Sequence, residues 1–206
     1  MSNNDSPKQS EPVPQAHSSA WSRLPRPMRW GIEALILVLL MVVLSLWLSR
    51  HMLDSGTPLP DAPVEFLNPD DNPAPHGLTL HQTIQASQRS YQQPVTLVYA
   101  FAPWCSICKV SMPGLDMALD DQTQLIAIAM DWQEKSEVAE MVESIDFQHP
   151  VVLDHNALRE SLRIDGYPSY YLVDANGQIR FADRGLTTPV GLWLRIKLMR
   201  LQDWLG

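Results

Sequence analysis

Seven residues, Val95-Thr96-Leu97-Val98-Tyr99-Ala100-Phe101, form a continuous apolar, β-branched run that ends just ahead of a Cys-x-x-Cys pair. A run of this kind reads as a central strand buried on both faces, which requires a sheet covered by helices on each side. The pair, Cys105-Ser106-Ile107-Cys108, uses the only two cysteines in the 206-residue chain. A structural disulfide does most by closing a long loop in the unfolded chain, and a bridge across two intervening residues closes almost none. The thiols therefore read as chemistry: either a soft-metal site or a dithiol/disulfide cycle.

The rest of the globular pattern surrounds this window. Leu125–Met130 is a second apolar run and a second buried strand. Residues 134–145 are amphipathic, with Val138, Met141, Val142 and Ile145 on one face and Glu134, Glu137, Glu140 and Glu143 on another. Residues 150–154 form a short strand, and 170–174 a further one. Ala175-Asn176-Gly177 then turns into 178–181 as a hairpin. Thr188 caps a last helix with Pro189 at its first position, and Leu194, Leu198, Leu201 and Leu205 line one stripe of it. The order predicts an α/β layer fold with parallel central strands and an antiparallel hairpin at one edge.

Where a buried strand turns into a helix, unpaired backbone N–H groups and the helix dipole favour an anion. Cys105 occupies that end of a helix expected to run through about Leu119, and the thiolate is the reactive form of cysteine. Cys108 lies about one turn deeper on the same side, within reach of a mixed disulfide formed on Cys105. The spacing assigns Cys105 as the sulfur that exchanges and Cys108 as the one that resolves. Trp104, adjacent to Cys105, is placed for a role at the substrate rim.

Upstream, Ala34–Leu48 reads ALILVLLMVVLSLWL without a charge, and extension to Trp30 and Ser49 adds one acid, Glu33. About twenty such residues span a bilayer core, and Trp30 and Trp47 stand where interfacial aromatics belong. No small-residue cleavage site follows the run, so it reads as a retained signal anchor. Arg23, Arg26 and Arg29 precede it and Arg50 alone follows closely, which places the N-terminus in the cytoplasm and the remainder outside. Four regions result: a cytoplasmic disordered tail over 1–30, a transmembrane anchor over 31–49, a proline-rich extended tether over 50–75, and a globular domain over 76–206. From residue 51 onward the chain holds 10 basic and 20 acidic residues. That balance argues against nucleic-acid binding. In an exported, oxidising compartment a vicinal thiol pair can exist as a disulfide.

Trp104-Cys105-Ser106-Ile107-Cys108-Lys109, with Pro113 five residues after the second cysteine, resembles the active-site helix of the thioredoxin superfamily. Gly166-Tyr167-Pro168-Ser169-Tyr170, leading into a strand, is similar to that family's cis-proline loop. The resemblance covers about residues 76–206 and implies a thioredoxin-like fold, with a mixed sheet flanked by helices, in which Tyr167 and Pro168 position a partner's extended backbone. The anchored layout is similar to the TlpA/ResA group. Closer still is the D protein of the suppressor-of-copper-sensitivity group, through the Cys-x-Ile-Cys, the Pro150–Asp154 stretch, and Gly185-Leu186-Thr187 ahead of Gly191-Leu192-Trp193-Leu194-Arg195. The resemblance implies protein disulfides or thiols as substrates and a membrane electron-transfer partner at the bacterial inner membrane, with the domain in the periplasm. No organic cofactor is needed, because the electrons reside on the two sulfurs. Two positions depart from the family: Tyr99 and Ser111 stand where relatives carry a buried acid, leaving the proton acceptor of Cys108 unassigned.

One alternative is a Cu(I)-binding or copper-delivery module using the same two sulfurs; a further one is a thiol peroxidase, which would require Cys105 to turn over peroxide faster than protein disulfides. A soft-metal site ordinarily takes three or four Cys or His ligands. The six histidines show no pair at helical spacing and the methionines no Met-x-x-Met run, so no metal site is assigned.

Overall fold

The computed structural model describes residues 26–49, 51–68, 79–88 and 95–205. The expectations for the tail before residue 26, and for the tether between 69 and 75, lie outside them. The chain divides after Val43 into two units. Helix α1 (Arg26–Ser49) contains the apolar run, and its described side chains from Leu35 to Leu44 are all exposed. Among the described residues no helix is long and apolar enough to cross a membrane; of the side chains of α1, those of residues 30–44 are described.

The second unit is built on one six-stranded sheet. Its strands are β1 (Glu65–Phe66), β2 (Val95–Phe101), β3 (Thr123–Ala129), β4 (Val151–Leu153), β5 (Ser169–Val173) and β6 (Ile179–Arg184), in the order β1-β4-β3-β2-β5-β6. Strands β2, β3 and β4 run parallel, whereas β5, β6 and β1 are antiparallel to their neighbours. The helices are α2 (Leu80–Gln88), α3 (Ser106–Ser111), α4 (Lys135–Ser144), α5 (Ala157–Ser161) and α6 (Pro189–Leu205), with a 3-10 segment at Met112–Ala118.

The central strands divide their side chains between two cores, because successive residues of a strand point to opposite faces. Leu97, Tyr99 and Phe101 of β2 and Leu125, Ala127 and Ala129 of β3 join the core under α3, α4 and α6. Val98, Ala100, Ile126 and Ile128 join the other, with residues of α2 and α5. This is why neither strand shows polar alternation in the sequence.

Two expectations, the tether and the length of the active-site helix, need correction. The stretch read as a tether is part of the domain from Met52 to Leu67: Met52, Leu59, Ala62 and Phe66 are buried in the second core. Its backbone is bonded at both sheet edges, with Leu59 N–H donating to the Gly177 carbonyl (2.8 Å) and Leu67 N–H to that of Val151 (2.9 Å). Prolines suit such a segment, since proline is tolerated at sheet edges. The core-facing stripe of α6 is Leu192, Ile196 and Met199, while Leu194, Leu198 and Leu201 are about half exposed. Apolar residues lie all round this helix, and the ion pair of Arg195 with Asp183 (2.9 Å) helps set its rotation. The active-site helix, expected to continue to about Leu119, is α-helical only to Ser111; Pro113, which lacks an N–H, stands where the 3-10 segment begins. Finally, α2 and α5 are helices too short to be read from periodicity.

The hairpin turn is as expected. Gly177 takes φ +75°, and Asp174 Oδ1 accepts from the N–H groups of Asn176 and Gln178 at 2.9 Å each.

Asp120 joins the loop before β3 to α6. Its carboxylate accepts from Thr123 Oγ1 (2.7 Å), Lys197 Nζ (2.7 Å) and Arg200 Nη2 (2.8 Å). The Arg200 hydrogen bond, more than any other partner, holds the carboxyl well below the usual carboxylate range. A carboxyl depressed on folding adds stability that is complete above the unfolded value, about pH 4, and is lost as pH falls through the folded value. Asp120→Asn is expected to cost about 1–2 kcal/mol at pH 7. The difference in melting temperature from wild type should narrow steadily below about pH 4; an equal gap at pH 7 and pH 2 would refute the linkage.

Candidate active site at the carboxyl ends of the parallel strands

Strand β2 hands the chain to α3 through a tight turn in which Cys105 N–H donates to the Ala102 carbonyl (3.0 Å). Cys105 is the N-cap of α3, with extended backbone (φ −78°, ψ 103°), and its sulfur accepts the N–H of Cys108 at 3.1 Å. The helix thus begins on the sulfur itself, where the N–H dipoles favour negative charge. The two cysteines are joined in a disulfide, with their Cα atoms 5.3 Å apart. Cys108 is fully buried and Cys105 is 6% exposed, so an incoming thiol meets the Cys105 sulfur first.

The cis-proline loop arrives at the same end of the sheet. Because β5 runs antiparallel to β2 and Ser169 pairs with Ala100, Pro168 falls beside the end of β2 from which the cysteine turn emerges. The Tyr167–Pro168 peptide bond is cis, Pro168 is buried, and its carbonyl accepts from Gly185 N–H at 2.8 Å. Trp104 is 65% exposed and meets the Tyr167 ring edge to face, with centroids 5.8 Å apart. The structure therefore brings together all five residues singled out from sequence: Trp104, Cys105, Cys108, Tyr167 and Pro168.

Tyr99 and Ser111, the two departures from the family pattern, are hydrogen-bonded to each other at 2.8 Å in the core. Ser111 Oγ also lies 2.9 Å from the Ile107 carbonyl, to which it must donate its single proton. Tyr99 O–H is then the donor to Ser111. Burial, above all, pushes the Tyr99 and Tyr170 hydroxyls above the usual phenol range. The pair supplies hydrogen bonds around Cys108 but no base.

Sequence reasoning missed Asp131, Asp154 and Arg159. Asp131 lies two residues beyond β3 and Asp154 directly follows β4, at the carboxyl ends of the parallel strands, the side of such a sheet on which ligands are bound. That position was the available signal for the two acids. Arg159, on a helix too short to predict, left none. A groove of about 710 Å³ opens beside the cysteine turn, lined by Trp104, Lys109, Asp131, Glu137, Glu140 and Met141. No group of three or more His, Cys, Asp or Glu side chains among the described residues is arranged to hold a metal ion.

A parallel-centred sheet with an N-cap disulfide and a neighbouring cis-proline defines a thioredoxin-like protein. The fold is shared with the thioredoxin domain of a thiol-disulfide oxidoreductase from Bacteroides vulgatus (TM-score 0.55, 21% identity, 71% of this chain and 98% of that one). It is also shared with a thiol:disulfide interchange protein of the thioredoxin family from Chlorobium tepidum TLS (TM-score 0.54, 17% identity, 70% and 97%). The chain belongs to the AhpC/TSA family, whose model matches residues 71–182. It is similar to two Bacillus subtilis (strain 168) proteins: thioredoxin-like protein YneN (26% identical over 97 residues, 45% of this chain) and thiol-disulfide oxidoreductase YkuV (28% over 98 residues, 44%). The matched stretches span 57% and 66% of those relatives.

Proposed function

We propose that this chain is a membrane-tethered, extracytoplasmic thiol-disulfide oxidoreductase that reduces disulfides of partner proteins. The observation that carries the reading is the Cys105–Cys108 disulfide at the N-terminus of α3, with the more exposed sulfur capping the helix. In the reduced pair, Cys105 thiolate attacks one sulfur of the partner's disulfide. A Cys105–partner bond forms as the partner's S–S bond breaks, and the departing sulfur takes up a proton. Cys108, after losing its proton, attacks the Cys105 sulfur; the mixed disulfide breaks and the partner leaves as a dithiol. Two electrons pass to the partner, and the pair ends as the disulfide. Cys108 must lose its proton without a carboxylate at the Tyr99 and Ser111 positions, so resolution is slower than in relatives that carry one there.

The names of relatives such as YkuV support the chemistry. The apolar α1 and the basic residues ahead of it support anchoring in a bacterial inner membrane with the domain in the periplasm. An anchored reductant draws its electrons from a membrane electron-transfer partner, and tethering raises its effective concentration near substrates in the same membrane. Within that setting the chain is placed with the suppressor-of-copper-sensitivity D type, on the motifs quoted above. The test is turnover of a protein disulfide by the full chain, set beside Cu(I) titration of its reduced form. Turnover without tight Cu(I) binding is expected; tight Cu(I) binding without turnover would replace this reading with the copper module.

A further inference from the structure

Asp131 is the point where the parts of the site that touch a partner are joined. It follows β3 in the left-handed region (φ +50°), which turns its backbone toward the cysteine turn: its carbonyl accepts from Trp104 Nε1 at 3.3 Å. Its carboxylate accepts from Arg159 Nη1 at 2.6 Å and lies close enough to the buried Tyr167 hydroxyl to reinforce, after burial, the upward shift of that phenol. Arg159 is fixed from behind: its backbone N–H, with that of Leu158, donates to the buried Asp154 carboxylate at 2.9 Å each.

Without these links little would hold Trp104. The indole is 65% exposed, and among the described residues it is attached to the Asp131 carbonyl and the Tyr167 ring. A left-handed backbone at a non-glycine residue also has to be maintained by its surroundings.

We infer that Arg159 is a positioning residue: through Asp131 it holds Trp104 against Tyr167, fixing the wall of the groove in which a protein partner's chain lies beside Cys105. The inference rests on the exchange activity proposed above. It separates two classes of substrate. A protein disulfide must lay its flanking backbone along the wall, whereas a small disulfide reaches the Cys105 sulfur without it.

The experiment compares reduction of insulin and of hydroxyethyl disulfide by the full chain, with a chemical dithiol as electron source. Arg159→Gln is expected to lower kcat/KM for insulin about tenfold, with a much smaller change for hydroxyethyl disulfide. Arg159→Lys, which keeps a charged donor, should recover most of the loss. In a Trp104→Phe background, where no indole N–H remains to be held, Arg159→Gln should add little, because residues acting through one contact are not additive. Thermal melting of each variant separates a folding defect from a positioning one. Unchanged insulin reduction, equal losses on both disulfides, or an undiminished effect in the Trp104→Phe background would each overturn the assignment while leaving the exchange reading intact. A wild-type chain that reduces neither disulfide would overturn both.

Discussion

Cys105→Ser is expected to abolish reduction of protein disulfides, by at least about three orders of magnitude, while Cys108→Ser accumulates a covalent adduct with the partner. The asymmetry follows from placement. The Cys105 sulfur caps α3 and is the more exposed of the two, so it alone combines access with a field that favours the thiolate. A serine hydroxyl in its place stays protonated and cannot exchange. Cys108 is fully buried one turn along, so it can reach the Cys105 sulfur but not a partner's. Without it the first exchange still occurs and the second does not. Non-reducing gels and intact-mass measurement after mixing with a disulfide-bearing protein would display the adduct. An adduct on Cys105→Ser, or undiminished turnover by Cys108→Ser, would reverse or remove the assigned roles. Both variants should remain folded, since the bridge closes too short a loop to restrict the unfolded chain much.

The second large effect concerns location. The full chain is expected to stay in the membrane fraction through alkaline carbonate washing, and a chain beginning at residue 50 is expected to move entirely to the soluble fraction. The α1 helix has 24 residues. At about 1.5 Å per residue it would be roughly 36 Å long, against a hydrocarbon core of about 30 Å. Its described side chains from Leu35 to Leu44 are apolar on every side and exposed, a surface that water does not favour and lipid does. Starting at residue 50 keeps Met52, the first of the described residues to be buried in the domain core, so solubility and folding can be judged separately. Release of the full chain by carbonate would remove the anchor, and with it the argument for a membrane partner, leaving the chemistry of the cysteine pair untouched.

Much of the domain could be read from sequence because its signals are local. Val95–Phe101 was placed to the residue, since a continuous apolar run closed by a turn has one sensible reading. The cysteine turn, the Asp174–Gly177 hairpin and the Thr188–Pro189 helix start each depend on residues within a few positions of one another. The losses are equally physical. The segment from Met52 to Leu67 is buried through four residues at irregular spacing, so no period betrays it. The core-facing side of α6 is not legible in the sequence, because its apolar residues surround the helix and long-range ion pairs help choose the face.

The site divides in the same way. Residue type and spacing alone picked out the vicinal cysteine pair and the unequal roles expected of its two sulfurs, and the resemblance to the thioredoxin superfamily added that positions 99 and 111 lack its carboxylates. Only the tertiary structure decided what those absences became, a Tyr99–Ser111 hydrogen bond between residues twelve apart on different elements. It also decided how the partner-facing wall is held, through Asp131, Arg159 and Trp104, which come from three separate loops and helices. Proximity across a sheet depends on register and packing summed over the whole chain, and a local pattern carries no record of it.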